Sequence, residues 1–298
     1  MQAKSRSPAP LFLAALLALV LIPSEALSRE DTALERRLSM EKAARDNPFL
    51  LLPHRPNFIL PAAYSPNPNA EVLGLAPDDL DHVEIIFQVS LKLMISEGFA
   101  GTSGDLYAAY TNQSWWQAYN TERSSPFRET NHEPELFLLF NRHRRIPGFT
   151  RSWMAAGLSH QSNGQEGDLS RSWNRLYLNL FLERDGLVVS IKPWLRIPER
   201  KKEFPGDPRG DDNPDITEYM GNGELGIVLS KNRHNFTLLV RNNFRSDNKG
   251  AVRLGWSYPI TTKVKGYFQL FDGYGESLID YDHRITRVGL GILLADWL

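Results

Sequence analysis

The feature that most restricts this chain is a two-residue period that runs over thirteen residues. From Val83 to Ile95 the odd positions hold Val83, Ile85, Phe87, Val89, Leu91, Leu93 and Ile95, while the even ones include Glu84, Gln88, Ser90 and Lys92. Successive side chains of a strand point to opposite faces, so this is one long strand with a greasy face and a largely polar one. Leu176, Leu178, Leu180 and Leu182 alternate in the same way with Arg175, Tyr177, Asn179, Phe181 and Glu183. Less regular versions recur near residues 106–116, 133–143, 149–160, 187–197, 217–230, 234–243, 251–258, 263–272, 276–283 and 288–294, which makes twelve strands. A water-soluble sandwich also alternates, but strands of thirteen residues exceed what it needs and match the length of a tilted membrane crossing.

No stretch after residue 28 approaches the roughly 18 apolar residues of a membrane helix, and mean hydropathy is −0.36. The expected fold is all-β: a twelve-stranded antiparallel transmembrane β-barrel over residues 76–298, with a short N-terminal periplasmic leader. Lys4 and Arg6 precede an apolar run from Leu11 to Ile22, and Ser24, Ala26 and Ser28 follow. Residues 1–28 therefore read as a cleaved export signal. Residues 29–75 begin with a charged, helix-like stretch holding Glu35, Arg36, Arg37, Glu41, Lys42 and Arg45. They continue through Pro48, Pro53, Pro56, Pro61, Pro66 and Pro68, a leader tucked at the periplasmic end. The charged segment from Glu199 to Asp215 is expected to be a loop. Trp115, Trp116, Trp153, Trp173, Trp194, Trp256 and Trp297 are expected in interfacial girdles.

A formal charge of −1 gives no reason to expect a nucleic-acid partner, and the absence of Cys excludes disulfides, thiolate metal sites and Cys nucleophiles. The chain lacks a GxSxG elbow, an HExxH pair and a P-loop. What remains is the stretch GLSHQSNGQEGDLSRSWNR from Gly157 to Arg175. On a strand running from Phe149, the even face reads Met154, Ala156, Leu158, His160, Ser162; on the next, it reads Leu182, Leu180, Leu178, Leu176, Asn174. The short connection makes the two strands antiparallel neighbours, so two greasy faces end together in His160, Ser162 and Asn174. Polar groups on a lipid-facing surface are unfavourable without a use. A His base, a Ser nucleophile and an Asn that orients the imidazole follow the triad logic. Asn does so without a charge, which suits a surface where an ionised Asp would be desolvated. Read from the residues alone, the trio is either this triad or a chance interfacial cluster on a porin-like or adhesin-like barrel. A soluble periplasmic esterase is the third reading.

The motifs decide further. SWWQ at Ser114, SSPFRETN at Ser124, HQSNG at His160, SRSWNRLY at Ser170, KPW at Lys192, DDNPDITEYMG at Asp211, SYPIT at Ser257 and GYGESLIDY at Gly273 are colinear. With them the chain, from about Asp46 to its end, resembles the outer-membrane phospholipase A family of Gram-negative bacteria. The resemblance implies a calcium-dependent outer-membrane enzyme, active as a homodimer, that hydrolyses sn-1 and sn-2 ester bonds of phospholipids. Carried over by position, it implies Ser162 as nucleophile, His160 as base, Asn174 as its support and the Gly164 N–H as an oxyanion donor. For calcium in the dimer it implies the Ser170 hydroxyl, the Gln165 carbonyl and the carbonyl of Ser124 of the partner subunit. Asp212 matches a ligand of a monomer site, where Gly167 replaces a helpful Asp and Asp168 stands alongside. Asn112 matches a Gln that bonds across the dimer, one methylene shorter.

Overall fold

The computed structural model describes residue 39 and residues 51–142, 146–204, 207, 209–261 and 264–296. The expected signal at 1–28 and most of the leader's charged stretch lie outside the described residues, as does Trp297. The strands, in chain order, are β1 (Leu52–Pro53), β2 (Asn57–Tyr64), β3 (Val83–Ser96), β4 (Gly104–Trp116), β5 (Phe127–Arg142), β6 (Arg151–Ser162) and β7 (Ser172–Arg184). After β8 (Leu187–Ile197) comes a five-residue helix, α1 (Ile216–Met220). Then follow β9 (Gly223–Lys231), β10 (His234–Asn242), β11 (Gly250–Pro259), β12 (Lys265–Tyr274) and β13 (Arg284–Ala295). Each strand from β2 to β13 pairs antiparallel with its sequence neighbours, and β13 pairs with β2 to close a twelve-stranded barrel. The two residues of β1 extend the β2 edge along β3.

The barrel is inside out relative to a soluble protein. On β3, Val89, Leu93 and Ile95 are 47%, 43% and 52% exposed, whereas Glu84, Ser90 and Lys92 are 1%, 0% and 8% exposed. The same parity exposes Leu158, Leu176, Leu178 and Leu195 while burying Ser159, Arg175 and Asn179. Apolar side chains thus face outward all round, the arrangement that hydrocarbon and not water rewards. Among the described residues no helix is long and apolar enough to cross a membrane.

Two layers of ion pairs fill the interior. In one, Arg55 reaches in from the N-terminal segment to Glu133 (2.8 Å) and Glu135, while Arg175 takes Glu133 at 2.7 Å and His54 takes Glu135 at 3.0 Å. In the other, Arg128 bridges Glu84 and Asp280, each at 2.7 Å, and Arg287 pairs with Glu84 and Glu276. A cavity of about 300 Å³ remains, lined in part by Arg241, Arg253 and Gln269.

Four expectations are corrected. The barrel starts inside the segment read as a leader: β2 lies within residues 29–75, hidden by Pro61, which sits at a register shift where the ladder needs no N–H. Residues 276–283 are not a strand but part of the β12–β13 loop, which folds inward so that Leu278, Ile279 and Asp280 are almost fully buried. The region 217–230 opens with α1 before its strand. Trp115, Trp153, Trp173 and Trp194 are buried inside the barrel, not in girdles, because their positions share the lumenal parity of Ser159 and Arg175. Trp256, on the outer face, follows the expectation.

The connections β2–β3, β4–β5, β6–β7, β8–β9, β10–β11 and β12–β13 share one end, whereas turns as short as Asp185–Gly186 and Asn232–Arg233 share the other with the start of β2 and the end of β13. Long loops mark the outer end of such barrels and short turns the periplasmic end. The β6–β7 connection, and with it the candidate site, lies at the outer end.

Candidate active site

Register places the trio. His160 on β6 stands directly opposite Asn174 on β7, and Ser162 directly opposite Ser172. Directly paired side chains have Cβ atoms about 5 Å apart, and here the imidazole Nδ1 meets Asn174 Oδ1 at 2.9 Å. His160 is exposed on the outer face, in line with the exposed Leu158 and beside Leu176. Ser162 shares this face two residues on, without a hydrogen bond to the ring among the described residues. A nucleophile–base contact is commonly long without substrate and shortens in the complex. Gly164 follows at φ 65°, a left-handed conformation that glycine adopts freely.

The β6–β7 loop is held by Asn163, which sequence reasoning passed over. Its amide donates to the Leu169 carbonyl (2.8 Å) and to Glu129 (3.3 Å), and its Oδ1 accepts from the Gln165 and Arg171 N–H groups. One buried side chain therefore fixes the loop carrying Gly164, Gln165 and Ser170. An Asn directly after a candidate nucleophile, ahead of a Gly, was the available signal.

The DDNPD motif braces the same loop from the β8–β9 connection. Ser170 Oγ donates to Asp212 Oδ2 at 2.7 Å, bringing two of the expected calcium ligands together, and Lys202 Nζ stands 2.7 Å from Asp212 Oδ1. Asn213 accepts from the Ser172 N–H at 3.0 Å, and Tyr281 donates to Asp215 at 2.7 Å. Burial, aided by that bond, holds the Tyr281 phenol above its ordinary pKa. Gln165 and Asp168 are exposed on the loop. Ser124 lies apart from them in the β4–β5 connection, at φ 60°. All these donors are oxygens, few of them charged, which suits a hard cation with waters completing its shell. On that ground the residues present fit calcium.

Asn112 faces outward on β4. Its Oδ1 accepts from Ser114 Oγ at 3.2 Å and its amide nitrogen lies 3.4 Å from His132 Nδ1. His132 is directly opposite Ser162 across the β5–β6 ladder, and its Nδ1 lies 2.6 Å from Tyr110 OH. A further side chain also enters the site: Asn174 Nδ2 donates to Glu199 Oε1 at 3.0 Å.

Comparison with known proteins identifies the family. The Phospholipase A1 family model matches residues 34–294. A Phospholipase A1 of Escherichia coli (strain K12) is 41% identical over 261 residues, covering 84% of this chain and 83% of its own. A Putative phospholipase A1 of Neisseria meningitidis serogroup B is 37% identical over 254 residues, covering 82% and 65%. Among solved structures, outer membrane phospholipase A from Escherichia coli superposes with a TM-score of 0.77 at 40% identity, over 85% of this chain and 95% of that one. A second Escherichia coli structure carries an asparagine-to-alanine change described as an active-site mutation. The Salmonella typhi outer membrane phospholipase, solved as a dimer with bound calcium, gives a TM-score of 0.76 at 40% identity, over 84% and 94%. This chain belongs to the phospholipase A1 family.

Proposed function

We propose that this chain is a calcium-dependent phospholipase of the bacterial outer membrane. It is exported by cleavage of residues 1–28, acts as a homodimer, and hydrolyses the sn-1 and sn-2 ester bonds of phospholipids and lysophospholipids. The observation that carries the reading is the His160–Asn174 hydrogen bond beside Ser162, on the lipid-facing side of the wall and at its outer end.

Asn174 accepts the Nδ1 hydrogen, which fixes the tautomer and leaves Nε2 to receive the Ser162 proton as the hydroxyl oxygen attacks the ester carbonyl. The lysolipid alkoxide leaves with that proton, and a water activated by the same imidazole then releases the fatty acid from Ser162. The Gly164 N–H donates to the developing oxyanion; removing one such donor typically costs about 3 kcal/mol. Ser170 and Gln165, with Ser124 of the partner subunit, would hold calcium in the dimer, and Asp212 would hold it in the monomer. Bound there, the ion supplies positive charge beside the oxyanion. Leu158, Leu176 and Leu178 border the trio with apolar surface for acyl chains, and two barrels side by side at Asn112 enclose it.

The test is hydrolysis of a long-chain ester in micelles, with calcium and with a chelator, together with covalent labelling by a sulfonyl fluoride. Activity should require calcium, and both hydrolysis and labelling should vanish in Ser162→Ala. Undiminished labelling of that variant would remove the nucleophile from the scheme.

A further inference from the structure

In the triad as proposed, Asn174 has two ends, and only one is used. Its Oδ1 accepts from His160 at 2.9 Å; its Nδ2 donates to Glu199 Oε1 at 3.0 Å. An ionised carboxylate only accepts, so its presence settles which corner of the amide is nitrogen. That choice turns Oδ1 toward the imidazole, which must then carry its hydrogen on Nδ1 and keep Nε2 as the base.

Local structure explains how Glu199 arrives there. Ile197, the last residue of β8, pairs with Asn174 across the ladder, and Ile191, Leu195 and Ile197 all face outward. Pro198 ends the strand, and Glu199 continues its outward parity at the rim. Three neighbouring cations are engaged elsewhere: Arg196 with Asp211, Arg200 with Asp207 and Glu203, and Lys202 with Asp212. Among the described residues, the hydrogen-bond partner of the Glu199 carboxylate is the Asn174 amide.

We propose that Glu199 is a positioning residue for the hydrolytic site: its carboxylate orients the Asn174 amide and, through it, selects the working tautomer of His160. This rests on the Ser162–His160–Asn174 reading. The acid stands one amide removed from the ring, at the rim, where a carboxylate keeps its solvation and a lipid-embedded one would not.

The experiment measures kcat, KM and the His160 ring nitrogen NMR shifts in wild type, Glu199→Ala and Glu199→Gln. Ser162→Ala and Asn174→Ala serve as controls, and retained barrel structure is verified by circular dichroism. Loss of the acceptor should lower kcat about tenfold in Glu199→Ala, the loss expected for a hydrogen bond to a charged group, with KM unchanged. It should also shift the ring spectrum away from a single Nδ1–H form. Glu199→Gln, whose carbonyl oxygen still accepts, should recover most of kcat and the single tautomer. Wild-type kcat in Glu199→Ala, equal loss in both variants, or a change in KM alone would overturn the proposal. Full activity in Asn174→Ala or Ser162→Ala would instead sink the triad beneath it.

Discussion

The Asn174→Asp substitution would set a second carboxylate where the amide now lies 3.0 Å from Glu199 Oε1. Two unit charges at that separation repel by about 1.4 kcal/mol in bulk water and about 5.5 kcal/mol at an effective dielectric constant of 20. The membrane rim lies between these limits. At about 1.36 kcal/mol per pKa unit, the pair should keep one shared proton until the pH is about one to four units above the ordinary carboxylate range. While it holds that proton, a neutral acid at position 174 donates to Glu199 and still accepts from His160, so the site remains assembled. Once the pH passes the raised pKa, both groups are charged and the arrangement breaks. The variant should therefore lose activity with rising pH where the wild type does not. Adding Glu199→Gln supplies an amide donor to the new carboxylate and should abolish that alkaline loss. The assay is kcat against pH on micellar ester at saturating calcium. Wild-type kcat with an unchanged profile in Asn174→Asp, or a double variant no better than the single one, would refute the reasoning.

Arg128→Met should leave Glu84 and Asp280 buried without their shared partner and destabilise the barrel by about 3 to 5 kcal/mol, read as a lower urea midpoint in lipid vesicles. An unchanged midpoint would show that the remaining Arg287 pairing suffices. Ser170→Ala should raise the calcium concentration for half-maximal activity at least about tenfold while sparing kcat at saturation; an unaltered calcium curve would take Ser170 out of the ligand set. Asn112→Gln should restore the missing methylene at the proposed dimer face and increase the crosslinked dimer fraction, and an unmoved fraction would argue that this position does not set pairing.

What the sequence made legible was whatever parity alone controls. The outward face of His160, Ser162 and Asn174 follows from counting by two along strands whose Leu positions are unmistakable, and the register then pairs His160 with Asn174. Strand β2 was illegible because NFILPAAY carries Pro61 at a register shift between Leu60 and Ala63, so the alternation breaks there. Residues 276–283 misled in the opposite direction: their Leu, Ile and acids do have separate surroundings, but those surroundings are Arg128, Arg287 and the barrel interior. The tryptophans were assigned by residue type where position should have decided. Glu199 was submerged in a charged loop, since a hydrogen bond from just past the end of β8 to the neighbouring strand β7 leaves no mark on local composition.

The two tiers of arginine–carboxylate links have a consequence for the cell that carries this protein. A solute entering the cylinder would have to part Arg128 from Glu84 and Asp280, then Arg55 from Glu133, before reaching the opposite mouth. With the proposed triad mounted on the outside of a plugged tube, copies can accumulate in the envelope, waiting for substrate, without opening a leak.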